Sequence, residues 1–216
     1  MKVRNSRRKL RQTIKGLALV ACFTTFGATF TATRSHAAEW DRRSPPPVPA
    51  EIEVPPQTEL FLVGHGVGTQ NYVCVPAASG VAFALFTPEA TLFADEERQI
   101  ATHFFSPNPF EGGVIRATWE DSRDTSTVWG EVTHQSSDAA FVAKGAIPWL
   151  LLQVVGASDG PTGGDTLAKT RFIQRLNTVG GSAPTTGCNV ATDLGNKAFV
   201  PYMADYLFFE RHTHER

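Results

Sequence analysis

The sequence predicts an all-β fold, mainly an antiparallel β-sandwich or barrel, in a single domain with at most one or two short helices. Short runs of alternating or wholly apolar residues recur along most of the chain. Glycine and proline separate these runs too often for long helices. The chain left after removal of a predicted export signal, 179 residues, is long enough to form one well-packed core.

The N-terminus predicts export. Seven lysines and arginines in residues 1–15 precede an uncharged run, "GLALVACFTTFGATF", and the small-x-small triplet "SHA" follows at 35–37. This order is that of a secretory signal peptide, and we expect cleavage after Ala37. A core helix is the weaker interpretation, because the run is short, rich in threonine and flanked by cations. The mature protein is therefore predicted to be periplasmic or secreted, with no transmembrane span.

Two variants of the export route stay open. Arg7 and Arg8 within "SRRKL" resemble a twin-arginine signal, although Arg11 does not fit the usual continuation. "LVAC" resembles a lipoprotein cleavage box, which would leave a lipid anchor on Cys22. Only six apolar residues separate Lys15 from Cys22, which is short for a signal of that kind.

The charge of the mature chain argues against a nucleic-acid partner. The full sequence has 20 lysines and arginines and 21 acidic residues, and eight of the cations lie in residues 1–37. Removing that segment leaves 12 cations against 21 carboxylates, a net charge of about −9. A domain this acidic is repelled by phosphate backbones.

The β-rich domain is predicted to span residues 57–216, after a proline-rich linker at 38–56 that lacks periodicity. "PEATLFADEERQIATHFF", from Pro88 to Phe105, is the one candidate helix, although "ADEERQ" also suits a hairpin tip. "AIPWLLLQVV" is so apolar that it predicts a strand covered on both faces. The strand candidates, in order, are "ELFLVG", "TQNYVCV", "GVAFALF", "STVWGEVT", "AIPWLLLQVV", "TRFIQRLNTV" and "FVPYMADYLFFE".

The two cysteines of the mature chain, Cys74 and Cys188, predict one disulfide bond in an oxidising compartment. Two buried free thiols are the alternative. Closing a loop of 114 residues is expected to stabilise the fold by roughly 4 to 5 kcal/mol.

The glycine-rich stretches do not predict a nucleotide or other cofactor site. "TVGGSAPTTGC" lacks the lysine of a phosphate-binding loop, and "GHGVGT" has Thr69 where a dinucleotide fold needs its third glycine. Gly180 and Gly181 are better explained as turn residues with positive φ. Pro184 follows them, and the predicted disulfide of Cys188 fixes the segment to Cys74.

Motifs for catalysis and metal binding are also absent. The sequence has no G-x-S-x-G and no H-E-x-x-H, and His65, His103 and His134 occur singly. His212 and His214 form a weak candidate pair for a metal, but a polar chain end explains them better. Glu120, Asp121 and Asp124 in "TWEDSRD" suit an acidic turn better than an acid/base pair.

Several stretches together resemble a known family. They are "GVGTQNYVC", "TPEATLF", "THFFSPNPFEGG", "TWEDSRDTSTVWG", "GAIPWLLLQVVG", "FIQRLNTVGGSAPTTGC" and "VPYMADYLFF", in this order between about Leu60 and Phe209. They resemble the exported bacterial and fungal family catalogued as domain of unknown function 3455. The resemblance implies one secreted or periplasmic domain and no established activity.

Two classes of function remain. In the first, a β scaffold without catalytic activity uses His103, Trp119, Glu120 and Arg175 to bind a glycan, a small molecule or a component of the cell envelope. In the second, a hydrolase uses Glu120 or Asp124 with His103. Convergence of His103, Glu120 and Arg175 in one pocket would separate the two.

The binding hypothesis also predicts how "TWEDSRDTSTVWG" is arranged. Trp119 is expected to be partly exposed beside Glu120. Alternation along the following strand is expected to turn Val128 and Val132 into the core, and Trp129 and Glu131 to the opposite face.

Overall fold

The computed structural model describes residues 45–212, which form one closed antiparallel barrel of eight strands. The predicted signal peptide, Cys22 and His214 lie outside the described residues. The strands are β1 Thr58–Ala77, β2 Gly80–Phe93, β3 Gln99–Asn108, β4 Val114–Asp121, β5 Thr127–Ser136, β6 Trp149–Ser158, β7 Phe172–Gly180 and β8 Lys197–Arg211.

The barrel closes because the first strand pairs with the last. β1 and β8 run antiparallel from the pair Thr58 and Arg211 to the pair Val73 and Lys197. Every other strand pairs with its neighbours in sequence, so the sheet has no free edge. The all-β prediction is confirmed, and of its two architectures the structure is the barrel. Single turns of 3-10 helix are found at Ala50–Ile52, Pro109–Glu111 and Ala191–Asp193.

The candidate helix between Pro88 and Phe105 is instead a hairpin. β2 continues to Phe93, a turn occupies 94–98, and β3 begins at Gln99. The amide of Ala94 donates to the carbonyl of Arg98, and Glu97 takes a positive φ of 58°. Of the two alternatives for this segment, the hairpin tip is confirmed and the helix is not, because the apolar residues on both sides of "ADEERQ" pair across the turn as strands.

The barrel has apolar packing on both sides of its wall. The interior cluster includes Trp119, Leu152, Ile173 and Phe208. A second cluster lies outside, where Trp149, Leu151, Leu207 and Phe209 are covered by Ile52 and Val142. Strand β6 contributes to both clusters, which confirms the prediction that "AIPWLLLQVV" is covered on both faces. The second half of the predicted linker packs on the domain, since Ile52 is fully buried.

The disulfide between Cys74 and Cys188 confirms the predicted pairing. It ties the loop 181–196 to β1. Gly180, the last residue of β7, and Gly181, the first residue of the loop, have positive φ, as predicted. We call this the disulfide end of the barrel; it also carries the connections 109–113 and 137–148. The opposite end, which we call the terminal end, carries 94–98, 122–126, 159–171, residues 55–57 and His212.

No helix among residues 45–212 has both the length and the apolar character needed to cross a membrane.

Candidate binding site inside the barrel

Three of the four predicted site residues face the barrel interior. His103 on β3 pairs with Trp119 on β4, and Arg175 on β7 pairs with Tyr206 on β8. Residues directly opposite each other in an antiparallel sheet share a face, and Trp119 and Tyr206 belong to the interior cluster. Glu120 follows Trp119 and therefore faces outward. The structure thus brings His103, Trp119 and Arg175 to one side of the wall and leaves Glu120 on the other.

An aromatic stack fills the middle of the barrel. The rings of His103 and Trp119 are 4.3 Å apart and nearly parallel, and the Tyr206 ring lies 5.1 Å from His103 and 5.6 Å from Trp119. Trp119 is only 1% exposed. The prediction that Trp119 is partly exposed is therefore wrong, because the residue occupies an inward position between His103 and Val128.

Glycines in the wall make room for this stack. A Cβ atom on Gly66 would lie 2.8 Å from Cε2 of Tyr206, and one on Gly130 would lie 3.2 Å from Cζ3 of Trp119. A Cβ on Gly64 would lie 2.9 Å from Cδ2 of Leu92. The stretch "GHGVG", predicted as a break between two strands, thus lies within the single strand β1 and serves interior packing.

His103 is neutral and has a defined tautomer. Its Nδ1 lies 2.9 Å from the carbonyl oxygen of Thr118, and because a carbonyl only accepts, Nδ1 carries the proton. Burial lowers the pKa of His103 to about 3; the nearby positive charge of Arg175 also lowers it, and the bond to Thr118 partly offsets both. Nε2 is therefore an unprotonated acceptor at neutral pH.

Arg175 brings a positive charge into the disulfide end of the barrel. One of its terminal nitrogens, Nη2, donates to the carbonyl of Pro148 over 2.8 Å. Within residues 45–212, Arg175 has no carboxylate at ion-pair distance, and its buried Nε has no hydrogen-bond partner. Its charge also opposes the effect of burial, which raises the pKa of Tyr206 and of Tyr72.

Further polar groups surround Arg175. The hydroxyls of Tyr202 and Tyr206 are 3.0 Å apart, and the hydroxyl of Tyr72 donates to the carbonyl of Gly181 over 2.6 Å. Burial raises the pKa of Tyr202, so both phenols of the pair stay protonated. We define the inner polar cluster as Gln70, His103, Trp119, Arg175, Tyr202 and Tyr206.

This inner polar cluster has unused donors. In the part of the chain that the structure describes, Nε2 of Gln70, Nε1 of Trp119 and Nε of Arg175 are buried without a hydrogen-bond partner. Gln70 and Trp119 are each 1% exposed, so solvent at the surface does not satisfy them. A buried donor without an acceptor costs about 1 to 3 kcal/mol. The cluster is therefore suited to a molecule that supplies acceptor atoms.

The sequence offered a signal for part of this cluster that motif searches do not use. Tyr202, Ala204, Tyr206 and Phe208 alternate in "YMADYLFF", so they share the inward face of β8. Gln70 lies on the same face of β1 as Gly66 and Gly68, two residues beyond the glycine stretch. Because alternate residues of a strand share a face, knowing one inward residue of β1 or β8 would have identified the others.

The carboxylates of the hydrolase hypothesis lie elsewhere. Burial would raise the pKa of Asp124, but hydrogen bonds from Ser126 and Thr166 outweigh it and hold the pKa well below its usual range. The amide nitrogens of Ser126 and Thr166 lie 2.8 Å and 3.0 Å from its carboxylate oxygens. Asp124 thus fastens the loop 159–171 to the β4–β5 turn, and neither Asp124 nor Glu120 shares the inward face with His103.

His65 lies on the outer surface of β1 and is charged. Its Nδ1 is 2.7 Å from Asp205 and its Nε2 is 2.9 Å from Asp95. The hydrogen bond with Asp205, supported by Asp95, raises the pKa of His65 to about 9 although burial opposes this. Asn177, in a bulge of β7 with φ 51°, donates to the second oxygen of Asp205 over 2.7 Å.

Comparison with known proteins places the chain in a family. The model of the family described as "Protein of unknown function (DUF3455)" matches residues 55–210, and the chain belongs to this family. The match runs from just before β1 to the last residue but one of β8, so it covers all eight strands of the barrel. No curated protein and no solved structure matches the chain.

Proposed function

We propose that this member of the DUF3455 family is an exported binding module without catalytic activity, which binds a small carboxylate at the disulfide end of its barrel. The observation that carries the proposal is the inner polar cluster. Arg175 has no acidic partner in the described residues and its Nε has no acceptor, and two further buried donors without acceptors, on Gln70 and Trp119, belong to the same cluster. A carboxylate supplies both the negative charge and the acceptor lone pairs that this arrangement lacks.

Arg175 is the expected anchor. A guanidinium binds a carboxylate through two parallel hydrogen bonds, and its free Nε belongs to one such pair of donors. The Arg175 side chain as a whole is half-buried, although its Nε is buried. The phenols of Tyr202 and Tyr206 and the unprotonated Nε2 of His103 can fix the orientation of the rest of the ligand.

The arrangement favours binding over catalysis. His103 faces inward, whereas Glu120 and Asp124, the carboxylates of the hydrolase alternative, face outward or fasten a loop. A general base also needs a pKa near the working pH, and burial takes the pKa of His103 far below it. The hydrolase hypothesis therefore has less support than it had from the sequence.

Export is proposed from the basic and apolar N-terminus and the "SHA" triplet. The disulfide is compatible with an oxidising compartment. N-terminal sequencing of the exported protein is expected to read Ala38-Glu39-Trp40. A blocked, lipid-modified Cys22 would instead place the protein on a membrane surface.

Ligand binding is tested by thermal shift of the mature chain, residues 38–216, with a panel of short mono- and dicarboxylates and their neutral amides. A ligand that binds only the folded state raises the melting temperature by mass action. We expect at least one carboxylate to do so while its amide does not. Equal shifts from both, or no shift at all, would reject the proposal.

The anchor is tested by Arg175→Gln, with Arg98→Gln in the exposed 94–98 turn as the matched control. Arg175→Gln should abolish the shift and Arg98→Gln should leave it unchanged. Arg175→Lys keeps the charge but not the paired donors. It replaces Arg175→Gln in the test if Arg175→Gln does not fold. A full carboxylate response in folded Arg175→Gln or Arg175→Lys contradicts the assignment.

A further inference from the structure

A second, separate site lies at the terminal end of the barrel. We propose that the groove between residues 55–58, the middle of β6, the start of β7 and the end of β8 binds an acidic saccharide through Arg171 and Arg211. This proposal does not rest on the inner polar cluster, because the two sites share no residue.

The groove is large enough for a saccharide. It has a volume of about 460 Å³, and a smaller groove of about 290 Å³ is also lined by Arg171 and Arg211. Sites for small organic ligands occupy roughly 300 to 1,000 Å³. The larger groove is lined mainly by Pro55, Pro56, Gln57, Gln153, Phe172 and the two arginines.

The two arginines are the unpaired charges of this groove. Within residues 45–212, neither Arg171 nor Arg211 has a carboxylate at ion-pair distance. Of the nearby acids, Glu210 forms an ion pair with Lys169 over 3.1 Å, and Glu59 lies 3.0 Å from Nδ1 of His212. The lining of the larger groove contains two arginines and no carboxylate, so the groove is locally cationic although the mature domain carries a net charge of about −9.

The backbone holds the arginines in fixed positions. The amide of Arg171 donates to the carbonyl of Phe209 over 2.7 Å, and the carbonyl of Arg171 accepts from Val154 over 2.9 Å. Arg211 is the last residue of β8 and pairs with Thr58, and the next amide, that of His212, donates to Gln57 over 2.8 Å. A site held on paired strands loses less entropy on binding than one on a free loop.

The other lining residues favour a sugar over a bare anion. The exposed rings of Pro55 and Pro56 and the half-buried ring of Phe172 offer apolar surface to the C–H face of a sugar. The exposed amides of Gln57 and Gln153 can donate to and accept from hydroxyl groups. Guanidinium groups pair with the carboxylate of a uronic acid. A compact phosphate would use the arginines and leave the rings and amides without a role.

The test is calorimetric titration of the mature protein with a short oligogalacturonate, its fully methyl-esterified form and inorganic phosphate. We expect the acid form to bind, the neutral ester to bind at least about tenfold more weakly, and the affinity to fall as salt is added. Equal binding of acid and ester would overturn the role of the arginines. Phosphate that binds as tightly as the oligogalacturonate would overturn the saccharide assignment.

The matched variants are Arg171→Gln/Arg211→Gln and, as a control with the same change of charge, Arg98→Gln/Arg123→Gln. The first pair should weaken binding of the acid form by about tenfold or more, and the control by less than about twofold. Retained affinity in the first pair overturns the proposal. Arg175→Gln should leave this binding intact, so failure at this groove and failure at the inner polar cluster are separable.

Discussion

The inner and outer faces of the barrel wall give the same residue types opposite properties. His103 faces inward, stacks on Trp119 and is neutral because burial lowers its pKa to about 3. His65 faces outward, contacts Asp205 and Asp95 and is charged because its pKa is raised to about 9. Both are single histidines in strand sequences. The side of the wall, which follows from strand parity, decides the charge.

The tryptophans of "TWEDSRDTSTVWG" show the same division. Trp119 is enclosed by aromatic rings inside the barrel. Trp129 packs outside against Phe110, and its Nε1 donates to Ser106 over 2.9 Å. Interior space is enclosed by eight paired strands, whereas Trp129 packs on the outer wall against Phe110, which is 60% exposed. We therefore expect substitutions inside the barrel to lower the free energy of unfolding more than substitutions on the outer face.

The largest expected effect is that of Trp119→Ala. It should lower the free energy of unfolding by about 3 to 5 kcal/mol, since the closed barrel cannot collapse around the cavity. Trp129→Ala should cost less, about 2 kcal/mol, because Phe110 is exposed and can adjust. Chemical denaturation of both variants measures the two losses. A larger loss of unfolding free energy for Trp129→Ala than for Trp119→Ala would contradict the expected difference between the two faces.

The disulfide stabilises the disulfide end of the barrel, where it joins the loop 181–196 to β1. Replacing both cysteines, Cys74→Ala and Cys188→Ala, should cost about 2 to 5 kcal/mol because the unfolded chain regains the freedom of a long loop. Hydrogen exchange should also show faster exchange in the loop 181–196. Denaturation with and without reductant checks the stability change in the native sequence. An unchanged midpoint under full reduction would contradict it.

Much of the fold was predictable because it depends on local pattern. Alternation in "STVWGEVT" and the apolar "AIPWLLLQVV" identified strands, and two remaining cysteines identified the disulfide. The barrel could not be separated from a sandwich, because closure depends on the pairing of β1 with β8, which are far apart in sequence. "GHGVG" was misread as a break because the rings that need its glycines lie on other strands.

The sequence selected three residues that face the barrel interior, but it did not predict how they are arranged. His103, Trp119 and Arg175 were selected by residue type, and the sheet turns all three inward. Trp119 was expected at the surface because acids follow it, but those acids belong to the outer face and the next turn. Val132 was expected in the core, yet it is 48% exposed. Irregularities in the pairing of β5 with β6 change the parity between Val128, which is buried, and Val132.

The neutral histidine predicts a loss of stability at low pH. The folded-state pKa of His103, about 3, lies below its unfolded value of 6.5, so the unfolded chain takes up the proton first as pH falls. Its contribution to the free energy of unfolding should then decrease by about 1.4 kcal/mol per pH unit below pH 6.5, until about pH 3. Denaturation of the native protein and of His103→Gln from pH 7 to pH 4 measures this. Parallel pH profiles for the two proteins would show that His103 is not the group responsible.

The charged histidine predicts a smaller effect of the opposite sign. The folded-state pKa of His65, about 9, lies above its unfolded value of 6.5, so its stabilisation is complete below pH 6.5 and is lost as pH rises through 9. The side chain is 36% exposed and screened by solvent, so we expect a loss of about 1 kcal/mol.

Denaturation between pH 6 and pH 10 should show this loss in the native protein and not in His65→Gln. Asp205→Asn removes the main partner and should lower the pKa of His65, which an NMR titration of its ring protons can follow. His103→Gln should leave the alkaline loss unchanged, because the inner histidine is already neutral throughout this range. If Asp205→Asn leaves the titration of His65 where it was, Asp205 does not hold the charge. The raised pKa of His65 would then have to come from its other partner, Asp95.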